Sequence, residues 1–204
     1  MNLFRKKETD PYNEETASDA KEEHPLAEIV RFALIAILIV VPVRMFIAQP
    51  FIVSGESMVE TFQSGEYLIV DQVTHYFEAP KRGEVVVFRY PRDPSKFFIK
   101  RVIALPGDTI QIVDGTVTIL NEENPGGFVL NEPYIEPMPQ AAPTTETLGD
   151  REYFVMGDNR SKSSDSRTWG VLQEERIIGR AWMRLFPPAN LAFLPGDASD
   201  QFNK

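Results

Sequence analysis

Residues 97–120 read FFIKRVIALPGDTIQIVDGTVTIL, and this stretch decides the fold class. Phe97–Ala104 is rich in aromatic and β-branched residues and has the length of one strand. Pro106-Gly107-Asp108 closes it with a turn signal. Thr109–Val113 and Thr116–Leu120 then flank Asp114-Gly115, a dipeptide that suits a two-residue hairpin because both residues tolerate positive φ. Working outward, Glu66–Asp71, Glu84–Tyr90, Glu152–Met156 and Ile177–Phe186 share the same strand character. Residues 121–150 are rich in Pro, Gly and Thr and predict an irregular insertion. No long amphipathic helix is predicted after residue 50. The reading is an antiparallel, all-β domain over residues 49–204.

Ahead of that domain the composition changes twice. Residues 1–25 are polar and charge-rich, without apolar periodicity, and predict a disordered tail. Residues 26–48 predict a transmembrane anchor. The uninterrupted apolar stretch, Phe32 to Val43, is shorter than the ~20 residues a bilayer core requires, and the flanks complete it. Arg31 and Arg44 can carry their charges to opposite interfaces, and the block is apolar on every face rather than along one stripe. No small-x-small cleavage site follows, because Phe46 stands two residues before Ala48. Arg5, Lys6, Lys7, Lys21 and Arg31 precede or open the span, whereas after Arg44 the next basic residue is Lys81. The excess of Lys and Arg on one side predicts a cytoplasmic tail and an extracytoplasmic β domain.

The balance of residue types removes whole classes of chemistry. A net charge of -9 argues against a nucleic-acid partner. The absence of cysteine excludes thiol nucleophiles, disulfides and cysteine metal sites. Only two histidines are present, His24 in the polar tail and His75 in a segment without a catalytic signature, so neither a histidine-rich metal site nor a Ser-His-Asp triad is expected. No metal or cofactor is implied. A hydrolase built from this chain needs another base.

Lys100 is the candidate. A lysine amine is a cation at neutral pH unless desolvation disfavours its charge. In Phe97–Ile103 a period of two puts Phe98, Lys100 and Val102 on one face, which sets the amine between apolar neighbours. The segment alone favours the other reading, an edge-strand lysine that opposes aggregation. Ser57 lies in Val53-Ser-Gly-Glu-Ser-Met-Val-Glu-Thr-Phe62, a Gly-containing turn that can expose a hydroxyl, although most such serines only solvate a loop. Gly157–Gly170 is dense in Asp, Ser and Arg, residues that build hydrogen-bonded loops, with Asp165 and Arg167 as the expected pair.

Taken together these segments resemble bacterial type I signal peptidase. Phe98-Ile-Lys-Arg-Val-Ile-Ala-Leu-Pro-Gly-Asp108 is similar to the family's base-bearing pattern, and Ser57-Met-Val-Glu-Thr-Phe62 resembles its Ser-Met-x-Pro-Thr-Leu pattern loosely. Gly83-Glu-Val-Val-Val-Phe88 and Gly157–Gly170 resemble two further boxes, and Asn131-Glu-Pro-Tyr134 is a common accompaniment. The resemblance covers about residues 30 to 186, in family order.

The resemblance implies a signal-peptidase-like β fold and a Ser/Lys serine endopeptidase. Ser57 would be the nucleophile and Lys100 its general base. Ser163 would hydrogen-bond the lysine amine, Asp165 and Arg167 would support that loop, and the Ser57 backbone N–H would be one oxyanion donor. Cleavage after small residues, commonly Ala-x-Ala, is implied in the same way. So are signal-peptide-bearing preproteins as substrates, membrane lipid around the anchor, and proximity to the protein export channel. Phe51-Ile-Val53 is expected to rest on the outer leaflet.

Glu60 stands where the family pattern has proline, and Gly55 where some members carry a serine. Two other readings remain at this level. One is a self-cleaving repressor-type Ser/Lys protease, which the anchor and acidic N-terminus disfavour. The other is a catalytically inactive, membrane-anchored peptide-binding or scaffold domain of the secretion machinery. A sortase-like transpeptidase is excluded by the missing cysteine.

Overall fold

The computed structural model describes residues 25–42, 48–135 and 143–202, and the chain divides into two units, residues 1–39 and 40–204. Helix α1, Pro25–Pro42, has 18 residues. At a rise of 1.5 Å per residue it is about 27 Å long, against a hydrocarbon core of ~30 Å. Among the described residues no helix is long and apolar enough to cross a membrane. The predicted tail up to residue 24, and residues 43–47 of the predicted anchor, lie outside the described residues. Ala48 opens the first strand, so the anchor reading of 26–48 runs one residue into the sheet.

Among the described residues of 48–202 there are twelve strands. The larger sheet has eight: β1 (Ala48–Ile52), β2 (Tyr67–Asp71), β3 (Val85–Arg89), β4 (Phe97–Ala104), β9 (Glu152–Met156), β10 (Leu172–Gln173), β11 (Ile177–Phe186) and β12 (Ala192–Phe193). Its order is β1-β2-β11-β3-β4-β9-β10, with β12 on β11, and its recorded pairings are antiparallel. The smaller sheet comprises β5 (Thr109–Val113), β6 (Thr116–Leu120), β7 (Phe128–Val129) and β8 (Thr144–Thr147), in the order β7-β6-β5-β8.

The hairpin forms where Asp114-Gly115 predicts it. Val113 pairs with Thr116, and Asp114 and Gly115 take φ of 47° and 80°. The described part of the insertion contains strands that its composition does not suggest. β7 and β8 lie within residues 121–150 and supply both edges of the smaller sheet. β7 has only two residues behind a Pro-Gly-Gly turn, and β8 is a Thr-rich stretch that turn-forming neighbours disguise.

Strand β4 feeds all three hydrophobic clusters. Ile103 and Ala104 join the core shared by the two sheets, Val102 and Phe98 a second cluster, and Ile99 a third with Val53, Met58 and Phe62. Both faces of its second half are therefore covered, and burial is continuous from Lys100 to Ala104. This departs from the one-sided strand the period implies, and it traps two basic side chains inside the protein. The sheet also curls: β1 and β4 are separated by three strands, yet the rings of Phe51 and Phe97 meet edge-to-face at 5.2 Å.

Candidate active site

The loop between β1 and β2 carries Ser57. It is anchored on both sides by apolar burial, with Met58 1% and Phe62 0% exposed, and by a turn in which Phe62 N–H donates to the Met58 carbonyl at 2.7 Å. Val53 N–H donates to the Glu66 carbonyl and Gly65 N–H to the Val53 carbonyl, which ties the loop ends together. Among the described residues the Ser57 N–H has no acceptor, so it is available to an incoming oxygen.

Lys100 comes from β4, where it pairs with Val86 of β3. Its Nζ lies 2.7 Å from Ser57 Oγ and donates to the Ile99 carbonyl at 2.8 Å. The Phe98 ring centroid is 5.3 Å from the same nitrogen, on the face the strand period assigns to both residues. Burial, with the residue 3% exposed, pushes the Lys100 amine down from 10.5 to about 8, while the nearby Asp165 and Asp158 carboxylates pull in the opposite direction. An amine at this value is partly neutral near pH 7 and can accept a proton.

The third segment, between β9 and β10, contains helix α2 (Ser166–Trp169). Asp165 is its N-cap, and its carboxylate is gripped by Arg167 through Nε and Nη2 at 2.8 Å each and by the Gly157 N–H at 3.0 Å. Burial works to raise the pKa of Asp165, but Arg167 and the Gly157 N–H hold it below the usual carboxylate range. The expected Asp165–Arg167 pair is thus formed. Ser163 is placed differently from expectation. Its Oγ is buried without a well-formed hydrogen bond, close enough to Asp165 to help hold that carboxylate charged, and the lysine amine turns to the Ile99 carbonyl instead.

This segment packs directly on Ser57. Asn159 N–H donates to the Ser57 carbonyl at 3.0 Å, and a Cβ added to Gly157 would lie 2.4 Å from that carbonyl oxygen. Gly157 is required by this close approach.

The sequence reading missed the groups behind Ser57 and Lys100. Arg101 is 1% exposed, and its guanidinium donates to Asp158 through Nε at 2.8 Å and Nη2 at 2.6 Å. Thr61 Oγ1 donates to the same carboxylate. A Lys-Arg pair inside a strand with two covered faces was the available signal, since a buried arginine must find a carboxylate. His75, the histidine within the described residues, lines a separate small cavity with Glu84 and Arg180, away from Ser57 and Lys100.

A groove of about 450 Å³ opens at Ser57. Leu68 and Val87 lie between walls formed by Phe51–Val53 on one side and Phe97–Ile99 on the other. The Phe51-Ile-Val53 stretch therefore does not lie open as a unit: Val53 is buried and Phe51 is half-buried against Phe97, leaving Ile52 exposed.

The family model for signal peptidase, peptidase S26, matches residues 26–186. A probable signal peptidase I-1 from Synechocystis sp. is 36% identical over 169 residues, covering 79% of this chain and 83% of the relative. Signal peptidase I from Leptolyngbya laminosa is 34% identical over 191 residues, covering 90% and 91%. Signal peptidase I T from Bacillus subtilis is 33% identical over 192 residues, covering 88% and 95%. The extent of these matches leads to one assignment: the chain belongs to the signal peptidase family, peptidase S26.

Proposed function

We propose that this chain removes signal peptides from preproteins through an acyl-enzyme on Ser57, with Lys100 as general base and later general acid. The observation that carries this reading is the 2.7 Å separation of Lys100 Nζ and Ser57 Oγ at the mouth of a groove. An extended substrate enters between the Phe51 and Phe97 walls, where strand edges favour main-chain pairing. Neutral Lys100 takes the Ser57 proton as Oγ attacks the scissile carbonyl. The Ser57 N–H donates to the oxyanion. Lys100 returns the proton to the departing amine. A water, deprotonated by the same amine, then releases the signal peptide and frees Ser57. No metal or cofactor takes part. Asp165 and Arg167 hold the loop that carries Ser163, whose hydroxyl lies beside the Asp165 carboxylate. Preference for small residues before the cut rests on family membership.

The anchor at residues 26–47 belongs to the same proposal. It is supported by the uninterrupted apolar run from Phe32 to Val43 and the asymmetry of Lys and Arg about it. It puts the catalytic unit outside the plasma membrane, next to lipid and near the export channel that delivers preproteins.

The test is cleavage of a preprotein with an Ala-x-Ala site by the full chain in detergent and lipid, with Ser57→Ala and Lys100→Ala alongside. The expected result is a single cut after the small residue, lost in both variants. A chain that binds the preprotein but never cuts it would favour the inactive scaffold instead. The pH profile gives a second check. Because the base must be neutral, kcat/KM should rise with pH through an acid limb with a midpoint near 8, set by burial of Lys100. A midpoint near 10.5 would mean that the amine is solvated, and the desolvation argument fails.

A further inference from the structure

We propose that Glu132 is a positioning residue for the dyad: through it, the insertion between β6 and β9 holds the Gly157–Arg167 loop against Ser57. The proposal rests on the Ser57–Lys100 reading above.

Glu132 belongs to Asn131-Glu-Pro-Tyr134, a motif the mechanism leaves without a role. Its side chain is 5% exposed and meets Arg160, which is 1% exposed. The pairing is bidentate: Arg160 Nη1 donates to Oε2 at 2.9 Å, and Nη2 donates to Oε1. Tyr134 Oη donates to Oε1 at 2.8 Å, and the Tyr134 ring centroid lies 3.9 Å from the Arg101 guanidinium. The insertion thus reaches both arginines behind the dyad.

From Arg160 the contacts lead to the nucleophile. Arg160 Nε donates to the Gly157 carbonyl at 3.1 Å, and Arg167 Nη2 donates to the Arg160 carbonyl at 2.8 Å. Asn159, between them, donates its N–H to the Ser57 carbonyl. A buried ion pair adds little net stability compared with well-packed apolar side chains, so its use here favours a role in specifying one geometry.

The pair also balances charge. Arg101 with Asp158 and Arg167 with Asp165 are buried pairs whose carboxylates act on Lys100, and Arg160 with Glu132 is a third buried pair, its arginine on the segment that carries both carboxylates. Glu56 with Lys162, on the solvent side of Ser57, is a fourth pair that is also neutral. Tyr134 stays protonated, because burial and Glu132 raise its pKa. Removing the Glu132 charge alone leaves Arg160 uncompensated in the segment that carries Asp158 and Asp165, the two carboxylates that favour the Lys100 cation, and so disfavours that cation.

The experiment measures kcat, KM and the pH profile of preprotein cleavage for the full chain. It compares Glu132→Gln, the double variant Glu132→Gln/Arg160→Gln, and the Ser57→Ala and Lys100→Ala controls. Glu132→Gln should lower kcat by about 10- to 100-fold, the scale of a small misplacement, with KM changed less than about threefold. Its acid limb should move to lower pH. The double variant should return the limb toward its original position while kcat stays low, which a loss of stability alone would not do. Parent kcat, or an unmoved acid limb, in Glu132→Gln overturns the proposal. Activity in the controls would instead remove the dyad reading itself. If Glu132→Gln does not fold, Tyr134→Phe removes one donor to Glu132; a kcat loss of about three- to tenfold is expected, and parent kcat overturns the proposal.

Discussion

Replacing Lys100 by Met should abolish cleavage and at the same time stabilise the protein. Methionine has nearly the length of lysine and fits the same volume without a charge. Removing a general base, together with the later acid, is expected to cost at least about 10³-fold in kcat/KM. The stability gain follows from the cost of keeping a cation buried. A fall from 10.5 to about 8 corresponds to about 3 kcal/mol at pH 7. Lost contacts with the Ile99 carbonyl, Ser57 Oγ and the Phe98 ring return part of this. A net gain of the order of 1 kcal/mol, or about 2–4 °C in Tm, is expected.

The sign can be checked against pH. The folded pKa of Lys100 lies below its unfolded value, so folding releases a proton between about pH 8 and 10.5. The parent protein is penalised in full below about pH 8, and the penalty fades as pH rises through that window. The Tm advantage of Lys100→Met should therefore be largest at neutral pH and shrink above pH 8. A variant less stable than the parent at pH 7 would mean that the amine contributes net stability as a hydrogen-bonded cation, against the desolvation account.

Gly157→Ala should be nearly as damaging to activity, through sterics alone. The added methyl would lie 2.3 Å from Ser163 Oγ, 2.6 Å from Ser163 Cβ and 2.4 Å from the Ser57 carbonyl oxygen. Ser163 could change rotamer, but the Ser57 carbonyl is backbone and moves only with the nucleophile loop. That loop is pinned by Met58 and Phe62, so relief must displace either Ser57 or the loop that faces Lys100. A displacement of ~1 Å costs about 10²-fold in rate, and overpacking costs about 1–3 kcal/mol in stability. Activity should fall by at least about 10²-fold in a variant that is still folded by circular dichroism at the assay temperature. Parent-like activity would show that the two loops need not touch for catalysis.

The contrast between these variants separates two kinds of information in the chain. Lys100, Ser57, Asp165 and Arg167 were all readable as candidates, because each sits in a short segment whose residue types carry their own meaning. The same holds for the hairpin at Asp114-Gly115, where the backbone requirement is local to two residues, and for the long strands, whose β-branched and aromatic runs have the right length. What local segments could not give were relations across the chain. Lys100 and Ser57, 43 residues apart, were paired only through the family resemblance, and the pairs Arg101–Asp158, 57 apart, and Arg160–Glu132, 28 apart, were not anticipated.

Local periodicity predicts one covered face for β4. The curl of the larger sheet and the packing of the smaller one cover both, and so Arg101 is buried and must find Asp158. The placement of Ser163 beside Asp165 rather than on the amine, and the edges that β7 and β8 lend to the smaller sheet, depend on the same closure. The sequence by itself determined the strand character, the turn chemistry and the reactive side chains, because those are set by residues within a few positions of one another. The tertiary structure alone decided which of them are desolvated and paired, because burial and ion pairing arise only when segments distant in the chain close over each other.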